Sequence, residues 1–88
     1  MACYIVTFDP IGVGAADAIK ETLKSYGYYC PVTQFSWAVV TSLTAAQIRD
    51  QLIQASPTSR VFVLRSGTEA AWRNSFGQKH SDWLKKWL

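Results

Sequence analysis

Apolar residues recur along this chain first with a period near two and then with a period near 3.6, and the two patterns alternate. The first run, Tyr4-Ile-Val-Thr-Phe-Asp9-Pro10, consists of residues suited to a pleated surface and stops on a carboxylate and a proline, which cannot donate to a ladder. It predicts a strand ending at about Asp9, with Tyr4, Val6 and Phe8 on one face and Cys3, Ile5 and Thr7 on the other. Neither face is polar, so the strand belongs in the middle of a sheet, covered on both sides. From Ala15 to about Tyr26 the pattern turns helical. Ala16, Ile19, Leu23 and Tyr26 fall on one face and Asp17, Lys20, Glu21 and Lys24 on the other, and Gly27 supplies the left-handed residue that ends helices.

Tyr28–Gln34 and Ser36–Ser42 read as two strands with almost nothing between them, hence an antiparallel hairpin, and Pro31 places the first at a sheet edge or a bulge. Thr44-Ala-Ala-Gln47 fits a capping box, with Leu43 placed to staple onto Ile48 and with Ile48, Leu52 and Ala55 forming a buried stripe that Pro57 breaks. Arg60–Ser66 is a last strand, apolar on both sides over its middle and closed by Gly67. The chain then reads as irregular until about Ser81, where Trp83, Leu84, Trp87 and Leu88 predict a final helix of about two turns, too short to stand without something to pack on.

The order β-α-β-β-α-β plus a tail is that of an α+β, ferredoxin-like domain: a four-stranded antiparallel sheet, both main helices on one face, and a short C-terminal tail helix. All 88 residues make one domain, with a core over about 3–66 and a Trp-rich tail over 67–88. The helix-free face would leave an apolar patch larger than a monomer tolerates, which predicts a homodimer through that face or capping of it by the tail. A hydrophobic content of 49% in so short a chain favours the same conclusion.

Composition excludes several functions. The uncharged stretch between Gly27 and Arg49 contains Pro31, Gln34 and several hydroxyl residues, so no membrane helix is expected, and with no basic-then-apolar leader the expected location is cytoplasmic. Cys3 and Cys30 read as two small buried hydrophobes, and with one histidine there is no zinc spacing. His80 beside Ser81 and Asp82 is no triad and reads as an exposed residue near a helix start, and Ile11-Gly-Val-Gly14 lacks the rest of a phosphate-loop fingerprint. Of the net charge of +3, the segment from Arg60 onward carries six basic and two acidic residues, against three and four before it. Arg60, Arg65, Arg73, Lys79, Lys85 and Lys86 are therefore the candidate phosphate contacts. Trp72, Trp83 and Trp87 read as core or interface anchors rather than base-stacking rings.

Taken together, YIVTFD at the first strand, a helix ending in Tyr-Gly, Gln34-Phe-Ser-Trp-Ala-Val39 leading through Ser42-Leu-Thr44 into a capped helix, and a last strand with an outgoing basic residue resemble the Cas2 proteins of CRISPR adaptation. The small stand-alone relatives labelled the SinR family look closer still, and the tail from Ala71 to Leu88 is similar to theirs. The resemblance implies a homodimer in which Asp9 and its twin hold a divalent metal, magnesium, for metal-dependent cleavage of RNA or DNA, so that Asp9 is at once the candidate catalytic and the candidate metal-binding residue. Other relatives act only as a dimeric scaffold beside an integrase. Magnesium suits one or two carboxylates plus waters, yet Asp9 is one carboxylate per chain, and the basic residues expected after the first helix are replaced by Tyr26-Gly-Tyr-Tyr29. The alternative is a non-catalytic dimeric module that binds a protein partner of a defence or toxin-antitoxin system. A small-molecule sensor, supported only by the Gly12-Val-Gly14 loop, ranks third.

Overall fold

The computed structural model describes residues 1–67, 69, 71, 73 and 75–88, so Trp72 lies outside the described residues. The chain runs β1 (Ala2–Asp9), α1 (Ala15–Lys24), β2 (Tyr28–Thr33), β3 (Ser36–Thr41), α2 (Ala45–Ala55), β4 (Arg60–Arg65) and α3 (Gln78–Trp87). It is a small α+β fold with an open four-strand antiparallel sheet, in the order β2-β3-β1-β4, and three helices. Among the described residues no helix is long and apolar enough to cross a membrane.

Side-chain alternation along the strands sorts the interior into two clusters. Tyr4, Val6 and Phe8 of β1 and Trp37 and Val39 of β3 gather with Ile19 and Leu23 of α1 and Ile48 and Leu52 of α2. Cys3, Cys30, Ala38 and Val40, which alternate with them, gather instead around Leu84 of α3. The register explains the division: Val6 lies opposite both Trp37 and Val63, so one parity is continuous across three strands. The expected stripe of α1 is displaced by one position at its start, Ala15 being buried where Ala16 was expected, while Ile19 and Leu23 are fully buried.

Local chemistry sets the boundaries. Thr44 Oγ1 accepts from the Gln47 N–H at 3.2 Å and Gln47 Oε1 accepts from the Thr44 N–H at 2.9 Å, closing the capping box of α2. β2 is an edge strand whose pairing with β3 shifts register between Pro31 and Thr33, the irregularity a proline forces where it has no N–H to give. Gly27 turns the chain from α1 into β2 with φ of 91°, in the left-handed region.

The tail differs from its expectation. α3 begins at Gln78, not near Ser81, because Gly77 at φ 146° breaks the preceding chain and Gln78 Nε2 donates to Asp82 Oδ1 at 2.7 Å across the first turn. Those polar contacts carry no hydrophobic period, so the helix start was invisible to a pattern of apolar residues. Leu84 is fully buried, and Trp83, Trp87 and Leu88 pack around its cluster, so the tail covers the sheet where Cys3, Cys30, Ala38 and Val40 lie. The cover stops short of β4. Phe62 and Leu64 remain 62% and 42% exposed, next to exposed Thr7, so β1 is not covered on both faces along its whole length as its composition had predicted.

Candidate functional site

Asp9 ends β1 directly opposite Arg60, the first residue of β4, and both side chains are exposed. With Thr7, Phe8, Val61 and Phe62 they line a shallow cleft of about 120 Å³. Among the described residues the Asp9 carboxylate accepts no hydrogen bond and forms no ion pair, not even with Arg60. A carboxylate that merely capped the following turn would accept from the loop amides. Here other groups hold that loop: Thr58 Oγ1 donates to the Ile11 carbonyl at 2.9 Å, and the Ile11 N–H donates to Ser59 Oγ at 2.9 Å. Ser59 is in turn 2.7 Å from Ser56 Oγ. The glycines of the same loop have a backbone task. Gly14 is the N-cap of α1 with φ of 76°, and the Gly12 carbonyl accepts from the Ala15 N–H at 3.3 Å.

The basic candidates are dispersed. Arg60 and Arg65 stand at opposite ends of β4, about 17 Å apart along an extended strand. Lys79 is the second residue of α3, and Lys85 and Lys86 occupy its last turn, on a helix whose most extensive strand contact is with β2 at the other edge of the sheet. Three strand spacings separate β2 from β4, roughly 14 Å. Arg73 is exposed in the connection between β4 and α3. Only Asp9 and Arg60 are brought together. Lys86 Nζ lies 5.4 Å from the ring centre of its neighbour Trp87.

Cys3 and Cys30 are free thiols, buried beneath α3. Burial pushes the Cys3 thiol above its ordinary value, a hydrogen bond with Ser66 opposing it, and burial followed by the nearby Cys3 pushes Cys30 up. The Cys30 thiol is placed to donate to the Pro31 carbonyl at 3.6 Å and the His80 carbonyl at 3.8 Å. Both thiols stay neutral at physiological pH and serve as apolar volume. His80 is the third residue of α3 and is half-buried against Phe76, ring centres 5.9 Å apart, rather than exposed as the sequence suggested. Among the described residues no three of His, Cys, Asp and Glu converge.

Two cavities of about 370 and 540 Å³ adjoin beside edge strand β2 and share Pro31 and His80. One signal for them is visible in the sequence, the Tyr28-Tyr29 doublet on a strand interrupted by Pro31. No protein-family model matches this chain, and no curated protein matches it.

Proposed function

We propose that this chain is a Cas2-like homodimer that associates with nucleic acid, with the two copies joined along β4. The observation that carries the reading is the open edge: β4 is a six-residue edge strand with Phe62 and Leu64 exposed, beside the strand that ends on Asp9. Bare edges invite pairing with another strand, and exposed apolar side chains on such an edge mark an interface. The strand order, and the gathering of α1 and α2 residues in one cluster, support the ferredoxin-like arrangement with both main helices on one face.

In that dimer Asp9 is the candidate ligand for magnesium. An exposed carboxylate without an internal partner fits such a role, with waters filling the rest of the shell of an ion that takes one or two carboxylates. When bound, the ion supplies charge for phosphate oxygens and lowers the pKa of a coordinated water. Arg60, opposite Asp9 in the ladder, is positioned to hold a phosphate at the same end of the sheet.

The test is incubation of the protein with labelled single-stranded RNA and with double-stranded DNA, in magnesium or EDTA, for wild type and Asp9→Ala. The reading expects retarded nucleic acid for wild type, and any cleavage to need both magnesium and Asp9. A protein that retards neither nucleic acid overturns the nucleic-acid half and leaves β4 as an interface for a protein partner.

A further inference from the structure

Four aromatic rings are exposed among the described residues, and three of them, Tyr28, Tyr29 and Phe76, line the two cavities beside β2. Exposed rings scattered singly need no explanation; three on one groove do. The first cavity combines Tyr28 and Tyr29 with Trp83 and Lys79, and the second combines Phe76 and Trp37 with Lys20. His80 forms the wall common to both. Each compartment thus holds aromatic faces and one lysine, and among the described residues no Asp or Glu lines either one. Tyr29 is backed by the nearly parallel ring of Trp37, centres 5.5 Å apart, and Lys20 is steadied over the Phe35 ring at 5.6 Å.

We infer that this groove holds two consecutive nucleotides of a single nucleic-acid strand, one base against Tyr28 or Tyr29 and the next against Phe76, with Lys79, His80 and Lys20 on the phosphates. The inference deepens the proposed nucleic-acid association and rests on it. Stacking platforms set in a cationic groove are how single strands are gripped without sequence readout, because every base has a π face and every link a charge. A duplex keeps its bases stacked on each other and offers these rings nothing. Repetition of the ring-plus-lysine unit favours a strand over a single nucleotide. An added β-strand is a poor occupant, because Pro31 and the register shift beside it interrupt the free edge of β2.

The test is fluorescence anisotropy with a labelled oligouridylate, the corresponding duplex, and unlabelled uridine monophosphate as competitor. Phe76 and Lys79 are exposed, so Phe76→Ala and Lys79→Ala leave the fold intact, which circular dichroism checks. Arg49→Ala, on α2, removes one positive charge away from the groove. The inference expects single-strand binding that Phe76→Ala weakens about tenfold. Lys79→Ala should lower the slope of log affinity against log salt by about 0.7. Arg49→Ala should leave binding unchanged. Single-strand binding indifferent to Phe76→Ala and Lys79→Ala, or binding of duplex alone, overturns the groove while the proposed function stands. With unlabelled diuridylate as a second competitor, competition by the mononucleotide as strong as by the dinucleotide overturns the two-compartment strand. Binding of neither single strand nor duplex overturns the proposed function and the groove with it.

Discussion

Replacing Leu84 with alanine should open the tail without unfolding the sheet. Leu84 is fully buried and is the one side chain of α3 at the centre of the cluster that holds Cys3, Cys30, Ala38 and Val40. A ten-residue helix does not hold itself together in water, so α3 persists through this docking. Truncating a buried leucine costs about 2–5 kcal/mol, and the half-buried Trp83 and Trp87 beside it can settle into part of the void, which points to about 2–4 kcal/mol. At 1.4 kcal/mol per factor of ten, the population with α3 undocked rises by roughly 30- to 700-fold. Cys3 and Cys30 report it directly, being 7% and 2% exposed beneath the helix. Their rate of labelling by an aromatic disulfide reagent should rise by that factor. Amide exchange at Val6 and Val39, in the other cluster, should stay slow, as expected of local rather than global opening. Unchanged labelling would refute the idea that α3 guards the thiols. Loss of protection at Val6 and Val39 in step with labelling would refute the idea that α3 is a separable layer.

Three further outcomes follow from the same contacts. Thr44→Ala removes the capping box of α2, costing about 1 kcal/mol and lowering Tm by about 4–8 °C in a thermal melt. Asp9→Ala should change chemical stability by less than about 0.5 kcal/mol, since Asp9 has no partner among the described residues, whereas Thr58→Val loses a loop hydrogen bond and should cost about 1 kcal/mol. Burial raises the Cys3, Cys30 and Tyr26 values in the folded chain, so the unfolded chain ionises first. Denaturant stability should therefore hold below the ordinary thiol value of 9.0 and fall as pH rises through the folded values. A Cys3→Ala/Cys30→Ala double variant should flatten that limb, leaving the smaller slope due to Tyr26.

Much of the fold was legible because its signals are local. The Asp9-Pro10 stop, the Thr44/Gln47 box, the left-handed Gly27 and the edge-seeking Pro31 each act through the nearest few residues, and each is found where the pattern put it. What escaped depended on partners far apart in sequence. The pinning of Ile11 by Thr58 and Ser59 spans almost fifty positions, and nothing in a Ser/Thr-rich breaker announces it. The β2 groove is assembled from α1, β2, β3, α3 and the residues just before α3, which no sequence pattern draws together. The basic residues, adjacent by count along the last third of the chain, are divided between β4, the connection that follows it and α3, because the sheet sets β4 at one edge and α3 over the other. Asp9 was recognisable from its place at a strand end, while its lack of an internal partner needed coordinates.

The central claim, a dimer joined along β4, is tested most directly by the solution mass from light scattering of wild type and of Phe62→Lys. Phe62 is exposed on the open edge, so lysine there leaves the monomer folded, while a charge on an edge strand blocks pairing. The account predicts twice the chain mass for wild type and the single-chain mass for the variant. A wild type that is monomeric at micromolar concentration, or a variant that remains dimeric, would contradict it.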